Sequence, residues 1–145
     1  MRAVCAVLVV LLAYTAVVLS LPSLGKLQSA GVKGKLLCNG KPYMNAKVKL
    51  YDVDLTDLDD LMATGRSNED GEFELSGNET EWTTIDPKLN IYHNCNDENV
   101  ECDRKIAIII PSSFVSVGGV PEKIFDAGIL NLSGKLPGET RDCIN

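Results

Sequence analysis

"KLNIYHNCNDENVECDRKIAIII", residues 88–110, reads as two apolar strands around a polar turn. Leu89, Ile91, His93 and Cys95 fall on one face of the first strand, because successive side chains of a strand point to opposite sides. Residues 102–110 run back. If Cys95 bonds to Cys102 across this hairpin, His93 faces Arg104, Ile91 faces Ile106 and Leu89 faces Ile108. All of these share a face, so the register satisfies the pleat without a bulge and makes a core stripe.

Other segments repeat the pattern. Val32, Gly34, Leu36 and Cys38 alternate with Lys33 and Lys35, after a loose lead-in at 26–31. Asn39-Gly40 marks a turn, and the connection through Pro42 to Asn45 is too long for a two-residue hairpin to the next strand. There Ala46, Val48 and Leu50 alternate with Lys47, Lys49 and Tyr51. A turn at Asp70-Gly71 precedes a strand with Phe73 and Leu75 inward and Glu72 and Glu74 outward. Residues 76–79 read as a loop, and a last strand spans 125–132. Short strands separated by turn signals predict an all-β, antiparallel β-sandwich.

The N-terminus bounds the compartment. Arg2 precedes an uncharged stretch at 3–19, followed by Pro22, Ser23 and Gly25. That order is the pattern of a secretory signal peptide, residues 1–25 with cleavage at 20–25, leaving one domain over 26–145. No later segment is long and apolar enough to span a bilayer. Cys5 leaves with the signal, and Cys38, Cys95, Cys102 and Cys143 remain. Four cysteines in a small secreted domain imply two disulfides. With Cys95–Cys102 set by the hairpin, Cys38–Cys143 is the second, tying the first strand to the tail. A zinc site has only His93, Cys95 and Cys102 to draw on, and the thiols are consumed by oxidation. Sequons at Asn78 and Asn131 agree with an extracellular route. Asn78 is expected in a polar turn, and Asn131 mid-strand pointing outward. The net charge of −6 gives no reason to expect a nucleic-acid partner.

GKLLCNGKP, AKVKLYD, DGEFELSG, IDPKLNIYHNC, AGILNL and PGETRDCIN together resemble the nematode transthyretin-like family of secreted proteins. The resemblance covers the whole mature chain and implies a transthyretin-like sandwich of about seven strands. Fold does not fix chemistry. Hydroxyisourate hydrolases share the sandwich, but their several histidines and C-terminal Tyr-Arg-Gly-Ser have no counterpart in a chain with one histidine and the ending Asp142-Cys143-Ile144-Asn145. A carrier of a small apolar ligand in an oligomer is the other analogy.

The expectation is therefore a secreted, non-enzymatic binding or bridging module without a cofactor. Lys33, Lys35, Lys47 and Lys49 share the outward parity of the first two strands. If those strands pair, they form one basic patch for an extracellular partner: an anionic lipid or sulfated glycan surface, bridged to another protein. Asp52, Asp54, Asp57 and Asp59 offer oxygen ligands for calcium without EF-hand spacing.

Overall fold

The computed structural model describes residues 25–55 and 58–145. The expected signal segment before Gly25, with Cys5, and Asp57 of the acidic loop lie outside the described residues. Among the described residues ten strands form two five-stranded sheets. They are β1 (Lys26–Cys38), β2 (Lys41–Pro42), β3 (Lys47–Asp52), β4 (Asp60–Arg66), β5 (Glu72–Glu81), β6 (Pro87–His93), β7 (Asp103–Ile109), β8 (Ser116–Val117), β9 (Ile124–Asn131) and β10 (Thr140–Asp142). Seven have six or more residues, matching the expected strand number.

One sheet is built on β1, with β5, β2, β8 and β9 beside it, and the other runs β10-β7-β6-β3-β4. All pairs are antiparallel except β1 with β9. The inner faces meet in a core of Val32, Leu36, Val48, Leu50, Leu89 and Ile91, none with any exposed surface. The expected hairpin register holds: His93 faces Arg104, Ile91 faces Ile106 and Leu89 faces Ile108.

Two local expectations are corrected. Residues 26–31 are not a loose lead-in but the start of β1, paired with β5 from Lys26↔Glu81 onward. Residues 76–79 are likewise strand, so Asn78 is not in a turn. It pairs with Ser29, is exposed, and donates its amide to the Gly119 carbonyl oxygen at 3.2 Å. Asn39-Gly40 does close a two-residue hairpin, with φ of 53° and 74°, but onto β2 and not β3. Positive φ at both central residues is the twist a tight hairpin needs.

The disulfide pairing is also corrected. The bonds are Cys38–Cys95 and Cys102–Cys143, not Cys95–Cys102 and Cys38–Cys143. Past His93 the chain leaves the hairpin: Asn96 takes φ of 57° and the Asp97 N–H bonds the Asn94 carbonyl oxygen at 2.8 Å. Cys95 thus sinks into the core, where it meets Cys38 from the opposite sheet. Cys102 follows a different neighbour. Asp103 pairs with Asp142, so Cys102 and Cys143 are the next residues on and meet.

Candidate functional site

The same sheet assignment dissolves the expected basic patch. Lys33 and Lys35 stand on β1 in one sheet, Lys47 and Lys49 on β3 in the other. The outward faces of a sandwich point away from each other, so the four cannot meet one surface. Lys33 lies 3.9 Å from Asp126 and Lys35 3.6 Å from Glu72. These two, with Gly34, Glu74 and Ile129, line a groove of about 540 Å³ whose charges largely cancel.

Lys47 and Lys49 instead belong to a basic face that the cross-strand register assembles. Lys47 is flanked by Arg66 on β4 and Tyr92 on β6, and Tyr92 by Lys105 on β7. The next row sets Lys49 beside Asn90, and the next sets Tyr51 beside Lys88. Paired residues project to the same side, so five cations and two tyrosines share the outer face. The Lys49 ammonium stands 5.8 Å from the centre of the Tyr92 ring and 6.0 Å from that of Tyr51, and Lys105 stands 6.0 Å from Tyr92. Such contacts hold the cations in place over the rings. The lysine stems cover this centre, leaving Tyr92 and Asn90 only 4% exposed. Burial pushes the Tyr92 hydroxyl up to about 12, and the Asn90 amide donates to that hydroxyl at 3.3 Å. The Asn90 side-chain oxygen is buried without a hydrogen-bond partner. Lys88 is paired with Asp59, and Lys105 with Asp142 at 3.2 Å. Lys47 donates to the Asn145 carbonyl oxygen at 2.8 Å.

A family model described as Transthyretin-like family matches residues 33–111. Transthyretin-like protein 5 of Caenorhabditis elegans is 55% identical over 84% of this chain and 88% of its own length. Transthyretin-like protein 33 of the same organism is 50% identical over 81% of this chain and 83% of its own. The chain belongs to the transthyretin-like family. Among solved structures, a 9R-lipoxygenase from Cyanothece overlaps 72% of this transthyretin-like chain and 16% of its own, with a TM-score of 0.41 and 21% identity, too slight a likeness to bear on the fold.

The remaining expected sites of this transthyretin-like domain are placed as follows. His93 is 3% exposed, and its Nδ1 accepts the Cys95 N–H at 3.2 Å. In the neutral ring the proton therefore sits on Nε2, which has no partner. Burial, then the neighbouring Arg104 charge, lowers the His93 pKa to about 4. It also lines a polar cavity of about 220 Å³ with Tyr43, Asn94, Lys47 and Arg66. The acidic loop does not converge on a cation: Asp52 turns inward to accept the Asp86 N–H at 2.7 Å, and Asp59 is held by Lys88. Among the described residues no three His, Cys, Asp or Glu side chains stand together as a metal site. Asn131 points outward as expected, but it ends β9 instead of lying mid-strand and is exposed, its side-chain oxygen accepting from the Ser133 hydroxyl at 2.6 Å. No helix among the described residues is long and apolar enough to cross a membrane.

Sequence reasoning missed three members of the basic face, Arg66, Lys88 and Lys105. The signal was there for Lys105: the hairpin register that places His93 opposite Arg104 also places Tyr92 opposite Lys105.

Proposed function

We propose that this transthyretin-like chain is a secreted, non-enzymatic binding module that docks on anionic surfaces through the outer face of β3, β6 and β7. The observation that carries the reading is the lysine–tyrosine lattice around Tyr92, with Lys47, Lys49 and Lys105 on three sides of one ring. A positively charged sheet face on an acidic protein orients the molecule toward phosphate or sulfate groups before contact. The neutral, buried His93 supports the non-enzymatic side of the reading, since a general acid–base needs access and a pKa near the working pH.

Vesicles of phosphatidylserine and phosphatidylcholine, and a sulfated polysaccharide resin, test it and tell the two oxyanion sources apart. Each lysine near such a surface contributes about 1 kcal/mol, so changing Lys47, Lys49 and Lys105 to Ser weakens binding about 100-fold. Changing Lys33 and Lys35 to Ser leaves binding unaltered, because they face the other way. Wild-type protein that ignores both materials at low salt overturns the proposal.

A further inference from the structure

Twelve large apolar side chains are exposed among the described residues, and six of them gather at one end of the sandwich. That end is where β3 and β5 finish and β1, β4 and β6 begin, as the pairs Asp52↔Pro87, Asp52↔Asp60 and Lys26↔Glu81 show. Residues 53–55 and the loop 82–86 leave it side by side, joined by the Val53 N–H to the Asp86 carbonyl oxygen at 3.1 Å, and residues 58–59 lead back into β4. On them stand Leu55, 98% exposed, Leu58, 86%, and Trp82, 71%. Gln28 ties the second loop to β1 by donating to the Thr83 carbonyl oxygen at 2.6 Å. There Leu27, Val117 and Val120 continue the exposed apolar surface. Scattered apolar residues need no explanation, but a gathering of this kind marks an interaction site.

The charges at this end say what it meets. Asp54, Asp59, Asp60, Glu81 and Asp86 surround the apolar group, against Lys26 and Lys88, and Lys88 is bound to Asp59. The negative field is felt at Asp52. Its carboxyl is raised first by burial, then further by Asp54, Glu81 and Asp86 against the pull of the Asp86 N–H. Carboxylates around leucine and tryptophan repel anionic headgroups and sulfated chains and attract ammonium and guanidinium groups. We propose that this end is a protein-docking surface for a segment that presents apolar side chains flanked by lysine or arginine. It is a second site, chemically opposite to the basic sheet face and independent of what that face binds.

Trp82 is the only tryptophan of the chain, so its emission reports this end alone. The probe is a synthetic Leu/Lys peptide with its leucines on one helical face, beside a scrambled peptide of equal composition. The amphipathic peptide shifts Trp82 emission to the blue saturably, and the scrambled one binds at least 10-fold more weakly. Leu55→Ser with Leu58→Ser weakens binding at least 10-fold without lowering Tm, since both side chains are exposed. Asp60→Asn with Asp86→Asn weakens binding at low salt and reduces its salt dependence. Absence of a shift, equal binding of both peptides, or binding indifferent to the Leu and Asp variants overturns the proposal. So does an equal blue shift on phosphatidylcholine vesicles, which makes the end a bilayer-inserting tip.

Discussion

Arg104 and Glu139 lie buried together, and a buried ion pair gains stability only where every donor is answered. All five Arg104 N–H groups are answered. Nε and Nη2 bond Glu139 at 2.6 and 2.8 Å, Nη1 bonds the carbonyl oxygens of Cys95 and Leu132, and Nη2 bonds that of Gly134. One side chain thereby joins the β6–β7 loop to the segment after β9. Glu139→Gln leaves the cation without its counter-charge, and the expected loss is about 3–5 kcal/mol, read as a shift of the urea midpoint. A loss below 1 kcal/mol contradicts the role. His93 next to this pair makes stability depend on pH. With its folded pKa lowered to about 4 and its unfolded value near 6.5, the unfolded chain binds a proton first. Stability is therefore full above about pH 6.5 and falls as the pH drops toward 4, with a slope of about 1.4 kcal/mol per unit. Glu139 acts in the same sense at lower pH, because Arg104 holds its carboxyl down. Asp52, raised mainly by burial, acts in the opposite sense. His93→Gln keeps an acceptor for the Cys95 N–H and does not titrate, so urea midpoints between pH 7 and 4.5 lose most of that slope. An unchanged slope assigns the pH dependence elsewhere.

At the scale of strands, the two disulfides do different things. Cys38–Cys95 joins the end of β1 to the end of β6, and so links the sheets. Cys102–Cys143 holds the three-residue β10 against β7. Chain entropy assigns about 4 kcal/mol to each. Replacing Cys38 and Cys95 by Ser lowers the global melting transition. Replacing Cys102 and Cys143 lowers it comparably and in addition raises hydrogen exchange at 140–142, since an edge is released there. Equal protection of β10 in both variants contradicts this division. Where β4 and β5 close the corner between sheets, a Cβ on Gly77 meets the Met62 carbonyl oxygen at 2.6 Å. Gly77→Ala is accordingly expected to cost about 1–3 kcal/mol in denaturant unfolding. What the chain discloses about itself follows the same division. Leu89, Ile91, His93 and Arg104 disclose their register because parity and turn length decide it locally. The partner of Cys95 and the neighbours of Lys47 depend on which sheet β1 joins. Outward parity is identical for strands of either sheet, so Lys33 and Lys49 read alike in sequence and point in opposite directions in space. The strand character of 26–31 and 76–79 is hidden for a related reason. Ser29, Ala30, Gly77 and Asn78 have little β-propensity, and mutual pairing decides their conformation.

Over the whole molecule, the charges are sorted more sharply than a net charge of −6 suggests. Cations gather on the outer face of β3, β6 and β7, while carboxylates gather with exposed leucines at one end. The two surfaces join at the Lys88–Asp59 pair but otherwise use different residues. If both proposals hold, one copy can occupy both at once, and the module bridges. The measurement is recruitment of a labelled amphipathic Leu/Lys peptide to sulfated polysaccharide beads, counted as the excess over what the cationic peptide binds to beads without protein. Wild type carries the peptide to the beads. Lys47→Ser with Lys49→Ser and Lys105→Ser abolishes bead binding and leaves the Trp82 blue shift with free peptide intact. Leu55→Ser with Leu58→Ser keeps the protein on the beads but without the peptide. Effects on residues more than about 10 Å apart add independently, so each variant damages one half of the bridge. If the beads displace the peptide from wild type, the two surfaces compete, and the molecule is a switch between partners instead of a bridge.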